Sequence, residues 1–121
     1  MAARAALDAT LAALADPTRR GAVELLRVGP RRAGELASAL GQSRPAMSRH
    51  LKILRTAGLI EERHAAAPTA DDDARARTYQ LRPAPFAALR GWLAEVEALW
   101  ADELAAFKAH AEARRGRPRR S

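Results

Sequence analysis

The segment Ala33-Gly-Glu-Leu-Ala-Ser-Ala-Leu40-Gly41-Gln42-Ser43-Arg44-Pro45-Ala46-Met47-Ser48-Arg49-His50-Leu51-Lys52-Ile53-Leu54-Arg55-Thr56-Ala57-Gly58 reads as two short helices around a tight turn. Leu36 and Leu40 share one face of the first helix, over 33–40, and Gly41 stops it because glycine takes the left-handed C-terminal conformation without steric cost. Ser43 is a good N-cap for the second helix. Pro45 is tolerated in its first turn, where amides have no intrahelical partner. Met47, Leu51 and Leu54 follow at four and three residues, the buried stripe of a helix over 44–57. Arg44, Ser48, Arg49, Lys52 and Arg55 project from its other side, and Gly58 ends it. Two helices joined in this way form a helix-turn-helix, in which the first braces the second.

The flanking sequence completes the architecture. Leu7, Leu11 and Leu14 recur at helical spacing, and Asp16-Pro17 closes that helix and opens the next, with Asp16 as N-cap. The second helix runs to about Val28, burying Ala22, Val23 and Leu26, and stops at Gly29-Pro30. Beyond Gly58 the period changes. Leu59 to His64 suits a short strand, and Arg77-Thr-Tyr-Gln-Leu-Arg82 alternates, with Tyr79 and Leu81 on one face. The twelve residues 65–76 between them are long for a hairpin tip. Pro83 and Pro85 open a last helix whose apolar positions Phe86, Leu89, Leu93, Val96 and Trp100 step by three and four. Trp92, Leu99, Leu104 and Phe107 widen that stripe. The order α-α-α-α-β-β-α is mainly helical with a small hairpin wing, a winged helix-turn-helix. One domain over 1–112 is expected, followed by a disordered basic tail over 113–121.

Composition bounds what this fold can do. Of 121 residues 31 are alanine, and Leu, Ile, Val and Phe together number only 22, so a single copy has little apolar surface to bury. Cover from a second copy is therefore expected over the stripe Leu7, Leu11, Phe86, Leu89, Leu93, Val96, Trp100, Leu104 and Phe107. Cysteine is absent, which excludes thiolate metal sites and a cysteine nucleophile. No run approaches the ~20 apolar residues of a membrane span, and the N-terminus has no long apolar leader, so a cytoplasmic protein is expected.

The net charge is +7, and its distribution is uneven. Residues 17–60 hold eight Arg and Lys52 against Glu24 and Glu35, a local +7, whereas residues 85–113 are net −3. A localised basic face is the footprint of phosphate binding. A recognition helix enters a major groove ~12 Å wide on small polar and basic side chains. Arg44 suits guanine O6 and N7, while Ser48 and Ala46 permit close approach to base edges. Arg49 and Lys52 suit phosphates, as do Arg75 and Arg77, which flank the acidic run Asp71-Asp72-Asp73. An enzyme finds little support: Ser48 and His50 are i and i+2 on a helix and face apart, and no Gly-rich phosphate loop is present.

The stretches Leu14-Ala-Asp-Pro-Thr-Arg-Arg20, Gly34-Glu-Leu-Ala37 and Ser43 to Ile60 resemble the bacterial ArsR-family transcriptional repressors over roughly residues 7–108. The resemblance implies a homodimer on a palindromic operator in double-stranded DNA. It places the recognition positions on Ser43, Arg44, Pro45, Ala46, Ser48, Arg49 and His50, and the terminal helices at the dimer interface. Metal-sensing members carry a Cys-x-Cys site on the first helix of the motif or Asp and His clusters on the last helix. Here Glu35 to Leu40 has no thiolate, and Asp102 and His110 stand eight apart, about two turns, too far to grip one ion as a pair. The resemblance is thus to the non-metal branch, with no cofactor and no effector named by any motif. The competing expectation is a non-specific, architectural nucleic-acid binder carried by the basic face and the Arg-rich tail.

Overall fold

The computed structural model describes residues 2–63 and 77–116. Among these residues five helices and two strands follow in order: α1 (Ala2–Ala13), α2 (Pro17–Val28), α3 (Ala33–Ala39), α4 (Arg44–Thr56), β1 (Ile60–Arg63), β2 (Thr78–Leu81) and α5 (Pro83–Arg115). This is a winged helix-turn-helix. The chain divides into two compact units, Met1–Ala88 and Leu89–Ser121.

Local chemistry sets the boundaries in the first unit. Asp16 is extended and its side chain accepts from the Arg19 N–H at 3.0 Å, with Pro17 at the first helical position. Ser43 Oγ accepts from the Ala46 N–H at 3.2 Å, with Pro45 in the first turn. Each cap satisfies an amide that the helix cannot. Gly41 and Gly58 have φ of +64° and +79°, the left-handed conformation that lets the chain leave α3 and α4 sharply.

The core of this unit is small and tight. Leu36, Met47, Leu54 and Leu59 are wholly buried, and Ala13, Ala22, Leu26, Ala37, Leu51 and Ile60 are no more than 3% exposed. Val23 is only partly buried; with Leu14, Tyr79, Leu81 and Phe86 it packs around that core. The strands pair antiparallel with Ile60 opposite Leu81 and Glu62 opposite Tyr79. The segment between α2 and α3 adds one more rung. Arg31 N–H donates to the Tyr79 carbonyl at 3.1 Å, and Tyr79 N–H returns the bond at 2.8 Å.

Two expectations need adjustment. The last helix runs to Arg115, past the expected start of a disordered tail at 113; Arg114 and Arg115 lie in its last turn, where cations favour the negative end of the helix dipole. Phe86, expected at a dimer interface, already packs on the core of its own chain. Arg75, Asp71 to Asp73 and the tail 117–121 lie outside the described residues. No described helix is long and apolar enough to cross a membrane.

Leu54 has no exposed surface, so its truncation leaves a cavity under α4. Leu54→Ala is expected to cost ~2–5 kcal/mol in urea unfolding. A loss well below that range would mean that α4 is not seated on this core.

Candidate nucleic-acid interface

The two sides of α4 have opposite fates. Met47, Leu51 and Leu54 are consumed by the core, while Ser43, Arg44, Pro45, Ser48, Arg49 and Lys52 are exposed and Ala46 is half-buried. Because the exposed residues occupy the N-cap and the first three turns, they form one contiguous polar and basic surface running from the N-terminal end of the helix. Gly34 of α3 contributes by what it lacks: a Cβ there would collide with the Arg44 guanidinium, so the glycine leaves room for that side chain beside α3. Arg77, just before β2, is exposed as well.

His50 does not belong to this surface. It is half-buried on another side of α4, with Nδ1 3.3 Å from Arg19 Nη1 and 3.9 Å from Asp16 Oδ1. The helical period separates it from Ser48 by about 200°. Its place is against the start of α2, where it ties α4 to the corner between α1 and α2.

Arg19 organises that corner. Its Nε donates to the Ala13 carbonyl at 2.6 Å and its Nη2 to Ala12 at 3.4 Å, while Arg20 Nη1 donates to Leu14 at 2.8 Å. Two arginines from the first turn of α2 thus donate to carbonyls at and just beyond the end of α1. Sequence reasoning assigned Arg19 no such role. The available signal was its place near a helix N-terminus, where a cation is disfavoured by the dipole and so calls for a tertiary partner.

Asp16 is held below the ordinary carboxylate range. The Arg19 backbone N–H is the main cause, opposed by partial desolvation and reinforced by the Arg19 and His50 charges. At the other end of α4, Arg55 Nη1 meets Glu62 Oε1 at 2.9 Å, and Tyr79 Oη donates to the same oxygen at 3.3 Å. Neither contact could be foreseen, since both need the register of the hairpin. Among the described residues no three His, Asp or Glu side chains gather as metal ligands would.

The residues expected at an interface between copies divide as follows. Leu93, Val96, Trp100, Leu104 and Phe107 are 40–74% exposed, Leu11 is 38% exposed, and Leu7 and Leu89 are half-buried.

Comparison with known proteins places this geometry in context. Residues 16–62 match the family described as bacterial regulatory protein, arsR family. The chain is 43% identical over 100 residues to the HTH-type transcriptional regulator Rv2034 of Mycobacterium tuberculosis, a match covering 83% of each chain. It is 42% identical over 50 residues to the transcriptional repressor SdpR of Bacillus subtilis, covering 41% of this chain and 56% of that one. An ArsR-like transcriptional regulator from Rhodococcus sp. RHA1 superposes with a TM-score of 0.70 at 30% identity, covering 90% of this chain and 93% of that one.

The Asp16 cluster makes a prediction about pH. Its carboxyl is more acidic folded than unfolded, so the stability it adds is complete above about pH 4 and is lost as pH falls through the lower folded value. Asp16→Asn should therefore lower the urea midpoint at pH 7, and the gap to the wild type should shrink towards pH 3. An equal gap at both pH values would show that the charge of Asp16 is not what matters.

Proposed function

Because the chain belongs to the ArsR family of bacterial regulatory proteins, we propose that it is a homodimeric repressor binding a palindromic operator through two copies of α4. Its broader role, a transcriptional regulator, is the one its relatives carry by name. The observation that carries the finer reading is the division of α4 into a core side and an exposed side bearing Arg44, Ser48, Arg49 and Lys52. On this reading Arg44 donates two bonds to guanine O6 and N7, Ser48 and Ala46 lie close to base edges, and Arg49 and Lys52 hold phosphates. Arg77, and Arg75 with it, take the backbone beside the wing.

The second copy is called for by the exposed apolar stripe of α5. Leu93, Val96, Trp100, Leu104 and Phe107 follow at steps of three or four residues, yet each remains at least 40% exposed. Covering such a surface is favourable at ~25 cal/mol per Å² of apolar area. The dimer sets two α4 helices about one DNA turn apart, ~34 Å, or a multiple of it. Repression follows where the operator overlaps the polymerase site, in line with the naming of SdpR as a repressor. The protein acts in the cytoplasm, with no catalytic step and no cofactor.

Arg44→Ala should weaken operator binding by ~1–3 kcal/mol and relax preference at a single base position. An equal loss on every sequence would instead make Arg44 a phosphate contact. Trp100→Glu places a charge within the proposed interface. Sedimentation should show a folded monomer or an unfolded chain, and a folded dimer would contradict the assignment of α5.

A further inference from the structure

Arg55 lies on the same side of α4 as Arg44 and Ser48, within about 40° of both by helical period. By position it is a further cation for the DNA backbone, but its charge is already engaged. Its Nη1 is 2.9 Å from Glu62 Oε1, and the Glu62 side chain is only 18% exposed. The same oxygen accepts from Tyr79 Oη, and the Tyr79 backbone is paired to both β1 and Arg31. The carboxylate is therefore held from behind by the hairpin and presented to Arg55. Burial and then the Glu62 charge push the Tyr79 phenol up, which keeps its hydroxyl a donor to that oxygen.

The neighbouring rung repeats the pattern. Glu61 accepts from Gln80 Nε2 at 2.6 Å and stands 3.9 Å from Arg82 Nε. An open cleft of about 620 Å³ between the end of α4 and the hairpin is lined by Lys52, Arg55, Glu61, Glu62 and Arg82. Two of its three cations thus face carboxylates of β1, and a phosphate entering there would meet both Glu61 and Glu62.

We infer that Glu62 is a positioning residue that limits the electrostatic, sequence-independent part of DNA affinity by keeping the Arg55 guanidinium off the DNA backbone. A phosphate contact adds affinity for every sequence alike, without reading a base. Withholding Arg55 lowers binding to every duplex and flattens its salt dependence, while readout by the N-terminal end of α4 is left intact. The inference rests on the DNA-binding reading above and concerns a residue outside its contact set.

The test compares wild type, Glu62→Gln, Arg55→Gln and the double variant on one random-sequence duplex, with affinity followed over ~50–200 mM salt. Glu62→Gln should bind more tightly at low salt and steepen the slope of log affinity against log salt by about 0.9 for each protomer on the DNA. Arg55→Gln and the double variant should match the wild-type slope. Both lose the same ion pair without freeing a cation, so they also control for a loosened hairpin. An unchanged slope in Glu62→Gln overturns the inference. So does a flatter slope in Arg55→Gln, which would make Arg55 a phosphate contact in the wild type. Wild-type protein that binds no duplex at all would overturn the DNA-binding reading itself, and this inference with it.

Discussion

Everything the outer side of α4 can do depends on its inner side being spent. Met47, Leu51 and Leu54 are at most 2% exposed and lie among Leu26, Leu36, Leu59 and Ile60 from three other parts of the chain. That burial fixes the rotation of the helix about its own axis. Arg44, Ser48, Arg49 and Lys52 are then left facing solvent. With so few large apolar residues in the chain, this small core has little to spare, and single-methylene changes in it are expected to be felt.

Polar contacts fix what the core leaves free. At one end, the Asp16, Arg19 and His50 cluster joins the α1–α2 corner to α4. At the other, Glu62 joins α4 to the hairpin through Arg55 and Tyr79. The family match, residues 16–62, takes in Asp16, Arg19, His50, Arg55 and Glu62 but not Tyr79. Neither cluster is a strong source of stability, because several of the groups are partly exposed and such pairs are screened. Their effect is geometric: they settle where the wing and the first two helices lie relative to the recognition helix.

Much of this was legible in the sequence for identifiable reasons. Caps act within three or four residues, so Asp16-Pro17 and Ser43-Arg-Pro45 announced the starts of α2 and α4 directly. The helical stripe of Met47, Leu51 and Leu54 is likewise local. What escaped was non-local. Nothing in Pro30-Arg31 suggests a backbone rung to Tyr79, and the inward turn of His50 depends on Asp16 and Arg19 more than thirty residues earlier. Phe86 read as part of one continuous stripe, but at the start of α5 that ring packs, partly buried, against its own chain's core. The later positions of the stripe remain exposed.

The account stands on sequence-selective DNA binding, and fluorescence anisotropy tests that most directly. The protein would be titrated at about 150 mM salt onto a duplex from upstream of its own gene and onto a scrambled duplex of equal composition. A preference of roughly a thousandfold or more for the first duplex is predicted. Equal, steeply salt-dependent binding to both would contradict a specific regulator of its own promoter and favour a purely electrostatic nucleic-acid binder.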